Sequence, residues 1–314
     1  MSTHRGRPVL VCAVLVCGVL VCALLAACSG PAPTAAATSP TPSSAAVIVP
    51  IPAVTVTMSN PGAEPRSTLA LHATPETAQQ VTVTADSTVS QTVGTAPPSD
   101  QSSPEVTLPL TARQHGPADA PTHTVGLTVG TPSSTDAILT AALAKAEGST
   151  STVTVSPAGA ISKLVLDPPA ALSDAGRSAV EQALRQAVQF TPVLPASPVG
   201  VGAVWTVSQQ IDSLGLGLRQ DTVLTLTGVR DATVTLGVQL TQTPLTPTWT
   251  LPNAQGTLNV ETYTVTGGGR MTVDLTKTLP VDGRVQLDGN QVFSRPNDGL
   301  KFTQKVSNGV SWKS

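Results

Sequence analysis

The chain of 314 residues carries 17 basic and 19 acidic side chains, for a formal net charge of -2, and only 11% of its residues are charged and 2% aromatic. So sparse and weakly acidic a composition excludes the basic footprint that nucleic acid or anionic headgroups require. It also leaves few rings for a sugar-stacking platform. The length suffices for a sizeable core, in one large domain or two modest ones.

In chain order, Arg5 and Arg7 form a basic start, residues 9–25 are an apolar run, and Leu25-Ala26-Ala27-Cys28 reads as a bacterial lipobox. This predicts a lipoprotein signal peptide over 1–27, cleavage between Ala27 and Cys28, and lipid on Cys28. The apolar run sits at the lower edge of what spans a bilayer as a helix, so an uncleaved anchor is the alternative. Both readings put the remainder at the cell membrane, facing outside the cytoplasm. Buried methylenes contribute about 0.8 kcal/mol each, so a cysteine with two or three acyl chains holds firmly. Cys12, Cys17, Cys22 and Cys28 are the only cysteines, so the mature chain has neither a disulfide nor a thiolate nucleophile. Cleavage removes two basic residues and no acidic one, leaving 15 against 19 and a net charge of -4.

Residues 28–60 read as a tether rich in Pro, Ala, Thr and Ser, most clearly over 29–53, where no charge occurs. Proline extends such a segment at about 3.1 Å per residue, and its hydroxyls beside proline are candidates for O-linked sugar. The β-rich extracytoplasmic domain is expected over 61–314. Val81, Val83, Ala85, Val89 and Val93 alternate with polar residues, as do Val125, Leu127 and Val129, which is strand patterning with one wet face. Residues 94–122 between them read mainly as a flexible loop, with a short strand at 105–110.

Two segments follow a helical period. Residues 136–147 have apolar side chains at three-to-four spacing, Asp136 in the first turn and Gly148 just past the end. Residues 173–190 are the stronger case, with Ser173 as cap and a stripe of Ala179, Val180, Ala183, Leu184, Ala187 and Val188. Arg177, Glu181, Gln182, Arg185 and Gln189 then make a solvated face. Strands are predicted at 151–156 and 161–167, and after the second helix at 203–209, 222–229, 233–241, 257–266, 271–276, 284–287 and 300–306. The turn signals between them are Arg230-Asp231, Gly267-Gly268-Gly269, Asp282-Gly283, Asp288-Gly289, Asp298-Gly299 and Asn308-Gly309. The fold class expected is α+β, mostly β: a large twisted antiparallel sheet, with a half-barrel as one form, and two amphipathic helices on one face.

The run 195–205, Pro-Ala-Ser-Pro-Val-Gly-Val-Gly-Ala-Val-Trp, together with Val155-Ser156-Pro157-Ala158-Gly159, Val273-Asp274-Leu275, Leu279-Pro280-Val281 and Gly62-Ala63-Glu64-Pro65-Arg66, resembles a family of uncharacterised actinobacterial envelope lipoproteins. These segments span most of the chain after the tether. The resemblance implies an envelope setting and brings no catalytic residue with it.

The search for chemistry is largely negative. No nucleophile elbow, phosphate-binding loop, dinucleotide fingerprint or Ser-x-x-Lys motif occurs. His115, Asp119 and His123 are spaced like ligands on a helix, but Gly116, Pro117 and Pro121 forbid that helix. Asp288-Gly289-Asn290 starts like a calcium loop, yet Val292 and Phe293 stand where an oxygen ligand and a glycine belong, so a hairpin turn fits better. Neither metal nor cofactor is expected, nor is enzymatic activity. Trp205 and Trp249 are the candidates for ligand contact or core packing, with Trp312 as a further large ring. Two functions remain: a non-enzymatic binding or structural envelope module that engages another envelope protein or the wall, and, as the alternative, a carrier of a lipid or other hydrophobic ligand between sheet and helices. A pocket of several hundred cubic ångströms favours the carrier, and a filled core favours the module.

Overall fold

Valine and leucine in phase with threonine and serine carry most of this chain into strands, because branched side chains suit a pleated surface with one buried face. The computed structural model describes residues 46–117, 120–169, 171–252 and 256–314. Among them are 16 strands, all in one antiparallel sheet, and two α-helices. The strands are β1 (Val47–Pro50), β2 (Val54–Asn60), β3 (Ala78–Val93), β4 (Ser99–Asp100), β5 (Ser103–His115), β6 (His123–Val129), β7 (Ser133–Ser134), β8 (Thr150–Val155), β9 (Ile161–Asp167), β10 (Val204–Ser213), β11 (Leu216–Arg230), β12 (Thr233–Pro244), β13 (Thr248–Thr250), β14 (Thr257–Asp274), β15 (Asp282–Ser294) and β16 (Lys301–Lys313). The helices are α1 (Ala137–Leu143) and α2 (Asp174–Phe190).

The sheet runs β1-β9-β8-β6-β5-β3-β16-β15-β14-β12-β11-β10-β2, with β4, β7 and β13 as short additions. Its two edges, β1 and β2, are consecutive in the chain and separated only by residues 51–53. Four Cα steps reach roughly 14 Å at most, so the sheet rolls until its edges nearly meet, without closing. Twelve antiparallel steps separate them, so β1 and β2 run in the same direction and follow one another end to end, β1 along β9 and β2 along β10.

The inner face of the roll is apolar and α2 lies against it, touching β3, β5 and β16. Ser173 caps α2 by accepting from the Gly176 amide at 3.2 Å, and Asp136 caps α1 by accepting from the Leu139 amide at 2.7 Å. The two helices pack on each other at Gly176, where a Cβ would stand 2.6 Å from the Ala142 carbonyl oxygen. Val180, Ala183, Leu184, Ala187 and Phe190 of α2 are buried with Trp205, Trp312 and the inward valines and leucines of the sheet in one core. The outer face carries threonine and serine; Thr84 and Thr107, for example, meet there at 3.3 Å.

Several elements differ from the sequence reading. Within the expected tether over 28–60, Val47–Pro50 and Val54–Asn60 form β1 and β2, paired with β9 and β10. The prolines at 50 and 52 sit at and beyond the end of an edge strand, where a missing donor is tolerated. The stretch 94–122 carries the 13-residue β5 rather than mainly loop. Gly267-Gly268-Gly269 lies inside the 18-residue β14, joining two expected strands into one. A Cβ at Gly267 would stand 2.0 Å from the Gln286 carbonyl oxygen and one at Gly269 1.9 Å from that of Arg284, so backbone approach requires these glycines. Asp288-Gly289 likewise lies within β15 and not in a hairpin turn. Asn308-Gly309 lies within β16, and its bare Cα leaves room for Arg284 of β15 to reach across and donate to Asp86 of β3 at 2.8 Å. The turns at Arg230-Asp231 and Asp298-Gly299 are where the signals put them.

Candidate functional site

Three tiers stack along the long strands. At one end, residues 61–77 cross the mouth of the roll and tie together segments far apart in sequence. Ser67 exchanges backbone hydrogen bonds with Val199 at 3.0 and 2.9 Å, and the Ala63 amide donates to the Val201 carbonyl at 2.9 Å. The Leu71 amide donates to Pro157 and that of His72 to Leu275, both at 2.7 Å. The Gln79 side chain is buried and bonded at both ends: its oxygen accepts from the amides of Thr278 and Leu279 and from the Thr278 hydroxyl, while its nitrogen donates to the Leu279 carbonyl at 2.9 Å. Segments 62–66, 155–159, 195–205, 273–275 and 279–281 therefore meet at one end of the molecule. Packing accounts for their glycines: a Cβ at Gly200 would stand 1.7 Å from the Ala63 oxygen, and one at Gly62, whose φ is +79°, 2.2 Å from the Gly200 oxygen.

The middle tier is the main core. Trp205 is fully buried and its indole donates to the Val193 carbonyl at 2.8 Å, so it anchors the chain leaving α2 to β10. Trp312 is buried in the same core. At the seam lies a crevice lined by Ile51, Val54, Ile161, Val188, Val207 and Leu224. Its free volume is about 30 Å³, room for about two waters. Counted out to its open mouth, solvent included, it spans about 530 Å³. The free volume is far below the 300–1,000 Å³ or so that a drug-sized ligand needs.

The third tier begins at a belt of glutamines that alternation alone does not announce. Gln209, Gln220, Gln242, Gln291, Gln304 and Gln91 occupy inward positions of β10, β11, β12, β15, β16 and β3, and Tyr263 completes the row on β14. Gln220 accepts from Gln189 of α2 and from Gln242, each at 2.9 Å. Tyr263 donates to Gln242 at 3.2 Å, and Gln304 donates to Gln91 at 2.7 Å. Burial pushes the Tyr263 phenol well above the ordinary tyrosine range. Beyond the belt a small second core gathers Leu216, Leu218, Leu258, Phe293 and Phe302. Trp249 covers it from β13, half-buried, its ring 4.9 Å from that of Phe293 and its indole donating to the Leu214 carbonyl at 3.0 Å.

Of the candidate residues, Trp205 is core and Trp249 is a partly exposed lid on the small core; the structure does not bring them together into one site. Cys28, Ala27 and the apolar run 9–25 lie outside the described residues, as does Asp119. Among the described residues no helix is long and apolar enough to cross a membrane, and no group of three potential metal-ligating side chains occurs. His115 is exposed and meets Glu76 at 2.8 Å, whereas His123 is buried inward on the next strand, so the two do not share a face. The expected solvated face of α2 is only partly so: Gln182 and Arg185 are exposed, while Arg177 and Glu181 turn into a second cleft and Gln189 joins the belt. The roll covers both flanks of the helix, which a helical period cannot reveal. No protein-family model matches this chain, and no curated protein is similar to it.

Proposed function

We propose that this chain is an extracytoplasmic lipoprotein, cut before Cys28 and held to the cell membrane by lipid on that cysteine, whose folded part is a non-enzymatic binding or structural module of the envelope. The resemblance to actinobacterial envelope lipoproteins belongs to the same proposal. The observation that carries it is the filled roll: α2, Trp205 and Trp312 are buried in one core with the sheet's inward residues, and the crevice beside them leaves about 30 Å³ free. A module of this kind presents its outer, hydroxyl-rich face and its loops.

A carrier is the second reading, favoured by the apolar lining of the seam crevice. Val238, Leu240, Met271 and Val285 of the main core line its inner side, and Ile51 and Val54 stand beside them. Native mass spectrometry of the mature chain, extracted in mild detergent and compared with its denatured mass, separates the two. A bare acylated mass supports the module; a reproducible extra mass removed by organic solvent supports the carrier and overturns the first reading. For the anchor, Cys28→Ala is expected to move the protein from the membrane to the soluble fraction with its fold intact by circular dichroism. Retention of the variant on membranes would sink the lipobox reading.

A further inference from the structure

The second cleft lies between the N-terminal half of α2 and strands β1, β8 and β9. Valine and leucine side chains form about half of its lining, and three polar atoms of its lining residues are buried without a hydrogen-bond partner: the hydroxyls of Ser149 and Ser151 and Nε of Arg177. Both serines are deeply buried, at 5% and 4% exposure. Unmet polar atoms at that depth cost free energy and call for a partner. The free volume of the cleft is about 20 Å³, within a space of about 380 Å³ that includes open solvent. Two carboxylates also line it: Glu181 is paired with Arg185 one turn further along α2, and Asp167 is exposed at the end of β9.

We infer that this cleft is a binding site for a small oxyanion, a carboxylate or a phosphate group, held by Arg177, Ser149 and Ser151. The guanidinium keeps its charge at every relevant pH and its Nε–H can only donate. Each serine hydroxyl is free to rotate and donate as well. An oxyanion accepts from all three, offsets the arginine charge and makes charge-assisted hydrogen bonds, which a water molecule does not. The apolar walls strengthen such bonds by excluding solvent. The oxyanion group is the same whether it arrives free or as the head of a lipid, and the cleft's open side admits either.

The test follows the side-chain Nε–Hε resonance of Arg177 in the mature chain in neutral detergent micelles, assigned by its loss in Arg177→Lys. Sodium phosphate and sodium acetate are titrated against sodium chloride at constant ionic strength, and short-chain phosphatidic acid is added in a separate series. A saturable downfield shift with phosphate or acetate is expected, weakened at least tenfold in Ser149→Ala/Ser151→Ala. A shift with phosphatidic acid alone also supports the site and assigns its ligand to a lipid phosphate. The double variant reports a second way: without anion it is expected to unfold at the same temperature as wild type or above, because two unmet hydroxyls are gone, and added phosphate should raise the melting temperature of wild type only. No shift with any of the three probes overturns the inference. So does a double variant that melts lower and shows no anion dependence, since that assigns the hydroxyls to a structural water.

Discussion

The main core and the small core are built from the same strands, yet they hold together differently. On one side of the glutamine belt, β10, β11, β14, β15 and β16 present Val207, Leu224, Val265, Leu287 and Val306 to a helix that fills the roll. On the other, the same strands present Ile211, Leu218, Leu258, Phe293 and Phe302 with no helix among them, and aromatic rings and Trp249 make up the volume. The helix ends at the belt, where Gln189 hydrogen-bonds Gln220. A sheet this long outruns its helix, so the remainder of the inner face needs a second, smaller filling. The belt is the boundary at which backbone-like amide pairing replaces side-chain packing. Buried amides are tolerated there because nearly every one has a partner.

The largest expected effect tests the main core. Trp205→Ala removes a fully buried ring and its hydrogen bond to Val193, and about 3–5 kcal/mol should be lost in chemical denaturation. A loss near zero would mean that Trp205 is not the anchor of this tier. The belt comes next. Gln220→Leu strips the acceptor from Gln189 and Gln242 while also removing its own unmet amide nitrogen, for a net cost of about 1–3 kcal/mol. Gln220→Leu combined with Gln242→Leu should cost less than the sum of the two singles, because the pair acts as a unit. Additive losses would show that the belt is a row of independent side chains. Smaller again, Trp249→Ala uncovers a core that is already partly exposed, at roughly 1–2 kcal/mol. Hydrogen exchange should quicken at Leu216 and Leu218 and remain slow at Leu224 and Leu226 across the belt. Equal acceleration on both sides would erase the distinction between the two cores.

Much of this architecture is legible in the residues, and the misreadings share a cause. Ser173 and the stripe from Ala179 to Val188 announce α2 because capping and period are local properties. Trp205 stands out as a large ring entering a strand. Turn residues mislead where their role is non-local. Gly267 and Gly269 look like a turn but answer to the carbonyls of Gln286 and Arg284 on the neighbouring strand, and Gly309 answers to an ion pair that passes over it. The belt was open to period-two reading, since Gln220 stands in phase with Leu218 and Leu224, and Gln242 with Leu240. Its meaning was not, because an inward glutamine is satisfied only by partners on other strands. Arg177 was hidden for the same reason: helical period gives it a polar face, and only the rolled sheet shows that β8 and β9 cover that face.

The smallest effect is absent at neutral pH and sharpens the account of the belt itself. Tyr263 is held in its neutral form by burial, its pKa raised above the ordinary value of 10.0. Below that pH the phenol is protonated in folded and unfolded chains alike and adds no pH dependence. As pH rises past it, the unfolded chain releases the proton while the folded chain keeps it. Stability therefore falls, by up to about 1.4 kcal/mol per pH unit, until the raised folded value is passed. Tyr263→Phe should cost about 1 kcal/mol at pH 8, through the lost hydrogen bond to Gln242. It should also flatten the decline between pH 10 and pH 11.5. Lysines titrate in the same range in both proteins, so the difference between their denaturation midpoints isolates the phenol. Parallel declines would mean that Tyr263 ionises as freely in the folded chain as in water, and that the belt is open to solvent at this point rather than a seal between the two cores.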